Sequence, residues 1–319
     1  MLPGALVAIV VSVGCLLLSH VLTSVSALLV AVVVGVAART LGLVPAAVEP
    51  GLAWTARRVL RTGVVLLGLQ LSVGDLLDLG PREVGVLLTT VAVTFASTLW
   101  LGPRLRVSRA LTLLVATGFS ICGAAAVAAM SPVADAEEED VATAVALVTL
   151  YGSIAIAVVP VLSGLLGLTD RTAGLWAGLA VHEVAQVVAA AGAVSAAALA
   201  VAVVAKLGRV VLLAPLVAGV SLVRRRSTPV GAARPPVLPL FVVGFLVAVA
   251  LRTTGVLPDA ALAPVKTITT VALGAAMLAL GTQVRIAGLV RTGGRALALG
   301  GVATLVAMSV SLGGLLLVS

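Results

Sequence analysis

The sequence predicts an all-α polytopic membrane protein of about 11 transmembrane helices, with inverted repeats and at least one interrupted helix. Three observations carry that prediction. Hydrophobic residues make up 61% and charged residues 10% of 319 positions, against about 25% charged in soluble domains, and the mean hydropathy is +1.27. Apolar runs recur from end to end, each close to the ~20 residues that cross a bilayer as a helix. Costly polar groups enter the middle of those runs at three places only. Helices are the expected spanning element, because every backbone polar group in lipid must be satisfied within its own segment.

The first run, 3–20, lies in MLPGALVAIVVSVGCLLL. It has the apolar core of a signal peptide, yet no basic leader precedes it and apolar character resumes almost at once, so it reads as a retained first span. Runs at 23–38, 57–75, 83–101 and 109–133 follow, then 141–166, 171–192 and 194–222, and finally 237–254, 264–283 and 295–317. No polar stretch is long enough for a soluble domain, so residues 1–319 read as one integral membrane domain, with inverted halves of about 1–138 and 139–319. Cys15 and Cys122 fall in separate apolar runs, a poor setting for a disulfide, and Cys15 reads as a small buried hydrophobe.

Basic residues orient the runs. Arg39, Arg57, Arg58 and Arg61 follow the second; Arg104, Arg106 and Arg109 follow the fourth; Arg224, Arg225, Arg226 and Arg234 follow the eighth; Arg285, Arg291 and Arg295 follow the tenth. All four clusters then face the cytoplasm, with the N-terminus inside and the C-terminus outside. The acidic run Asp135, Glu137, Glu138, Glu139, Asp140 is expected on the opposite side, as is the loop holding Asp75, Asp78, Arg82 and Glu83. That acidic run reads as a solvated loop that favours the N-terminal end of the sixth span. The net charge of +8 does not point to nucleic acid, because the arginines sit in short loops and not on one basic face. A weak repeat aligns LGLQLSVGDLLDLG (67–80) with LGTQVRIAGLVRTG (280–293), two segments that would cross in opposite directions.

Polar chemistry enters the predicted midplane at three places. In TGFSICGAAAVAAMSP (117–132), Gly118, Ser120 and Gly123 interrupt the apolar pattern before a small-residue run ends at Pro132. Glycine costs about 1 kcal/mol against alanine inside a helix. A helix broken near Gly123 would aim free amides and a positive dipole end at an anion; the alternative is a continuous helix whose small residues allow close packing. In GLAVHEVAQVV (178–188), His182 and Glu183 sit inside an apolar run with Gln186 one turn on. A carboxylate there, costing roughly 3 kcal/mol on the insertion scale, needs a partner, a wet cavity or a bound proton. The pair resembles half of the H-E-x-x-H zinc motif, but Gln186 stands at the second histidine and His20 is the only other one, too few ligands for zinc. Polar glue between helices is the bland alternative. In AKLGRVVLLAP (205–215), Lys206 and Arg209 share one helix face near the middle of the eighth span. A Lys–Glu or Arg–Glu pair would neutralise this cluster at rest, leaving the second cation to hold an anion.

SICGAAAVAA, EEDVATAVA, GLWAGLAVHEVAQVVAA, AKLGRVVLLAP and RTGVVLLGLQLSVGDL (61–76) resemble the signature stretches of the YeiH-like bacterial membrane proteins, the sulfate exporter family. The likeness covers most of the chain, and HEVAQVVAA is its most specific part. Ala124, Ala125 and Ala126 depart from a more hydroxyl-rich run. The resemblance implies a secondary transporter of the cation/proton-antiporter and anion-transporter type.

The expected function is therefore a secondary active transporter, an exporter of a small inorganic anion such as sulfate. Ser120, Cys122, Gly123, His182, Gln186, Lys206 and Arg209 are the expected substrate-binding residues. Glu183 with His182 would couple transport to protons. The expected partners are the anion, a coupling ion (proton or sodium) and the lipid bilayer, with a homodimer left open; no cofactor, metal or nucleic acid is expected. No G-x-x-x-x-G-K-[ST] loop is present to supply ATP drive. The rivals are a sodium- or proton-coupled organic-anion transporter, an intramembrane enzyme using Cys122 or His182 with Glu183, and a passive anion channel.

Overall fold

The structure is a computed structural model that describes residues 1–21, 27–227, 238–283 and 294–318. Among these residues every regular element is helical. In chain order they are α1 (Leu2–Val21), α2 (Ala27–Thr40), α3 (Glu49–Trp54), a π-turn at Thr55–Val59, α4 (Leu60–Gly68) and the short α5 (Val73–Leu77). Next come α6 (Pro81–Arg104), α7 (Arg109–Ser120), α8 (Ala124–Ala134), α9 (Glu138–Leu165), α10 (Asp170–Ala180) and α11 (Val184–Gly192). The chain closes with α12 (Ala196–Val211), α13 (Leu213–Ser227), α14 (Leu240–Thr253), α15 (Asp259–Gly281) and α16 (Gly294–Val318). Local sequence explains many of the starts. Ser108, Thr169 and Ser195 accept from the amide three residues on and cap α7, α10 and α12, satisfying one of the donors that a helix start leaves without a partner. Pro81 opens α6 without sacrificing a needed N–H.

Among the described residues, five helical stretches are long and apolar enough to cross a membrane: Pro81–Arg104, Glu138–Leu165, Ala196–Arg226, Leu262–Gly281 and Gly294–Val318. The third predicted run begins earlier than expected, with α3, the π-turn and α4 covering residues 49–68. The fifth and seventh are not single helices. Each is a pair of short helices that meet end to end, α7 with α8 and α10 with α11.

Both pairs turn back on themselves. Ser108 at the start of α7 donates to the Asp140 carboxylate at 3.3 Å, so α7 begins at the end of the bundle where α8 has just finished. Asp170 at the start of α10 accepts from Ser195, just beyond α11, at 2.7 Å. This overturns the expected placement of the acidic run. Glu138 pairs with Arg57 at 3.2 Å, and Arg224 donates to the Val133 carbonyl at 3.0 Å. Residues 135–140 thus share one end of the molecule with the arginine clusters. At the other end, Arg171 donates to the Leu79 carbonyl and to Glu83, and the Val73 amide donates to Thr253. The reason is direct: a hairpin reverses the chain where a crossing helix would have carried it through.

The helices form two groups. α1, α2, α3, α4, α14 and α15 pack mainly on one another, and α6 to α12 pack with α16. Within the first group α2 and α15 meet at Gly35 and Gly281, where a Cβ on either residue would strike the other helix's backbone. That backbone approach is what small residues permit between membrane helices. The second copy of the 67–80 repeat, like Arg234, Arg285 and Arg291, lies largely outside the described residues.

Candidate functional site

The tips of the two hairpins meet inside the second helix group. α7 ends at Ser120, and Ile121, Cys122 and Gly123 turn the chain into α8. Gly123 has φ +76°, and a Cβ there would strike the Glu183 side chain; only glycine fits both demands. α10 ends at Ala180, and Val181, His182 and Glu183 run extended into α11. The break at Gly123 was expected from sequence, whereas the one at His182–Glu183 was not: nothing but the polar pair marks it.

Each break exposes the last carbonyls of one half-helix and the first amides of the next, groups that no helix satisfies. Lys206 and Arg209, fully buried on α12, take the carbonyls. Lys206 Nζ donates to the carbonyls of Ile121 and Val181, both at 2.8 Å. Arg209 donates from Nε to Ser120 at 2.9 Å, and through its two terminal nitrogens to Phe119 at 2.6 Å, Leu179 at 2.5 Å and Val181 at 3.3 Å. Two cations thus sit at two helix C-termini, the favourable end for positive charge. The expected Lys–Glu or Arg–Glu pair is not formed: among the described residues the salt bridges are Arg39–Glu49, Arg57–Glu138 and Arg171–Glu83.

Glu183 takes the amides instead. Its Oε1 accepts from the Ala124 N–H, the first residue of α8, at 3.2 Å. Its carboxylate also caps α11 by accepting from the Gln186 amide, while Gln186 Oε1 accepts from the Glu183 N–H at 3.1 Å. Gln186 Nε2 donates to the Thr149 carbonyl at 3.3 Å, and Gly152 on α9 leaves room for the Gln186 side chain. His182 Nε2 lies 2.9 Å from Thr304 Oγ1, and its ring lies against Phe119 with centroids 4.4 Å apart. The Thr304 hydroxyl also lies 2.9 Å from the Gly300 carbonyl, to which it donates in the tautomer that has the proton on Nε2. His182 Nδ1 is left buried without a hydrogen-bond partner.

The sequence-predicted residues therefore converge in one cluster, and the structure separates their surroundings. Glu183 and Cys122 line a narrow cavity of about 30 Å³ whose walls are Leu60, Val64, Leu67, Leu273 and Met277 from the first helix group and Ala125, Val184 and Val210 from the second. Lys206, Arg209, Gln186 and Ser120 do not line it. Ser120 spends its hydroxyl on the Ala116 carbonyl of its own helix. Thr304, Thr149 and Gly152 are polar or small positions inside apolar runs, and only their contacts across the bundle single them out. A cavity of this size has room for no more than a few water molecules. Chemically it offers a carboxylate that, among the described residues, makes no direct salt bridge, at the positive ends of two half-helices on the seam between two helix groups.

The family model for conserved hypothetical protein 698 matches residues 3–300. A UPF0324 membrane protein of Corynebacterium glutamicum is 43% identical over 317 residues, covering 99% of this chain and 92% of that protein. One of Agrobacterium fabrum is 32% identical, covering 92% of this chain and 87% of its own length. One of Staphylococcus aureus is 31% identical, covering 83% and 80%. No solved structure matches the chain.

Proposed function

The chain belongs to the conserved hypothetical protein 698 family of UPF0324 membrane proteins, the family its YeiH-like stretches resemble, and on that premise we propose that it is a secondary active transporter, not an enzyme. Its substrate is a small inorganic anion of the sulfate type, moved outward across the bacterial inner membrane and coupled to protons through Glu183. The observation that carries the reading is the meeting of two hairpins that enter from opposite ends, with their half-helix N-termini at a cavity between two helix groups. Interrupted helices at the repeat interface are where secondary transporters bind substrate and coupling ion. In this scheme nine crossing segments and two re-entrant hairpins replace the 11 expected spans. Two crossings are lost together, so the N-terminus stays inside and the C-terminus outside.

The coupling follows from charge. With Lys206, Arg209 and Glu183 all ionised, the crossing carries one net positive charge beside the amides of two helix starts. Glu183 occupies those amides as a tethered anion. Once it binds a proton, a free anion gains the amides in its place, and the proton and the anion travel together. Rocking of one helix group against the other then opens the seam to either side.

The apolar cavity wall favours a second reading, a weakly hydrated organic anion with proton or sodium coupling. Exchange of labelled sulfate by proteoliposomes, with labelled monocarboxylates and dicarboxylates as competitors, separates the two. Saturable wild-type exchange that quickens with acidification, and that becomes independent of pH in Glu183→Gln, is the expected result. Exchange by Glu183→Gln with the wild-type pH profile removes Glu183 from the coupling.

A further inference from the structure

A second cluster of charge lies far along the chain from the hairpin tips, on the first helix group. Met1, Pro50, Trp54, Arg57, Arg58 and Arg61 line an open pocket of about 320 Å³. The local backbone builds it. Thr55–Val59 is a π-turn in which the Leu60 amide reaches back to the Thr55 carbonyl, an extra residue in the helical ladder of the kind that recurs at functional sites. Arg57 and Arg58 lie four and three residues before Arg61, which places all three guanidinium groups on one side of the helix.

Three like charges brought together need an anion. Among the described residues Glu138 is the only carboxylate paired with any of them, through Arg57 at 3.2 Å. Both of those side chains are well exposed, 63% and 90%, so the pair is a weak, solvent-screened one. Arg61 is half-buried, with its guanidinium 5.6 Å from the centre of the Phe241 ring, and its Nε is buried with no hydrogen-bond partner. An unused guanidinium N–H beside two further arginines is a donor set for an oxyanion that accepts several bonds at once. Trp54 is 41% exposed at the lip, and tryptophan beside arginine is the composition of the membrane–water boundary. Arginines scattered by the positive-inside rule would project into solvent separately; here they converge on a concave surface.

We propose that this pocket binds a phosphate oxyanion, whether the headgroup of an anionic phospholipid or free phosphate. Basic pockets between membrane helices recognise headgroups in this way.

Thermal unfolding of the purified full-length chain in detergent tests it, with phosphatidylglycerol, phosphatidylcholine, or inorganic phosphate against chloride at equal ionic strength. Phosphatidylglycerol raises the wild-type midpoint and phosphatidylcholine does not. Arg58→Gln weakens the apparent affinity about tenfold, the loss of one charge-assisted contact, and Arg58→Gln/Arg61→Gln abolishes the shift. Arg104→Gln, which removes a guanidinium lying over Trp100 elsewhere, leaves it intact. A shift from inorganic phosphate alone assigns the site to the free ion, and a shift from phosphatidylglycerol alone assigns it to lipid. Should Arg61→Gln impair folding, the exposed Arg58→Gln carries the decision. The proposal is overturned if neither probe exceeds its control in the wild type, or if Arg58→Gln responds as the wild type does.

Discussion

Replacing Arg209 with leucine keeps most of the buried volume and removes the guanidinium donors that tie α7 to α10, leaving Lys206 to bridge the turns that follow them through Ile121 and Val181. The carbonyls of Phe119, Ser120 and Leu179 lie 2.6, 2.9 and 2.5 Å from its nitrogens, and all three lose the guanidinium that satisfies them. Leaving a buried acceptor unsatisfied costs about 1–3 kcal/mol, so three together cost about 3–9 kcal/mol. Relief from burying a guanidinium returns several kcal/mol of that, leaving a net loss of about 3 kcal/mol. The midpoint of thermal unfolding in detergent should fall by roughly 5–10 °C. Alkylation of Cys122 by a small maleimide, in a Cys15→Ala background, should quicken in parallel as the hairpin tips loosen. Arg209→Lys should recover part of both, since one ammonium reaches fewer carbonyls than a guanidinium. A residue that mainly held substrate would behave in the opposite way, losing transport while unfolding and Cys122 protection stayed at wild type. Wild-type stability and wild-type Cys122 protection in Arg209→Leu would refute the clamp.

Glu137→Cys should be labelled by an impermeant thiol reagent from the same face of the membrane as Arg106→Cys and from the face opposite Asp78→Cys; labelling of Glu137→Cys with Asp78→Cys would restore a crossing helix in place of the first hairpin. Gly123→Ala meets both a positive φ and the Glu183 side chain, so folded yield on size-exclusion chromatography should drop sharply, by about 1–3 kcal/mol of strain plus the clash; an unchanged yield would show that the turn relaxes. Thr304→Val strips His182 Nε2 of its hydrogen bond and should destabilise by about 1–3 kcal/mol, read as a lower unfolding midpoint, while the same change at Thr89, whose exposed hydroxyl bonds only within its own helix, should be neutral.

Much of this was legible in the chain itself. Composition forces a helical membrane protein, because lipid leaves the backbone no partner outside a helix. Gly123 marks a break, because glycine close behind Gly118 and Ser120 and ahead of a run of small residues supports a turn better than a helix. His182, Glu183, Lys206 and Arg209 stand out because ionisable groups are costly at those depths. Tertiary structure alone decided the direction of the chain. α7 and α8 have 12 and 11 residues, about 18 and 17 Å of helix, each roughly half of a hydrocarbon core near 30 Å. Joined in sequence they have the apolar length of one crossing helix, and hydropathy measures length without direction. Two such miscounts cancel in the placement of the termini and survive only in the stretch between them: the acidic run at 135–140, the direction of α9 and the turn that leads from it into α10. The partners of the buried charges were equally hidden. Pairing opposite signs predicts Glu183 with Lys206 or Arg209, yet a broken helix supplies carbonyls and amides that compete for all three. Those backbone groups come free only once the fold has bent each helix back on itself.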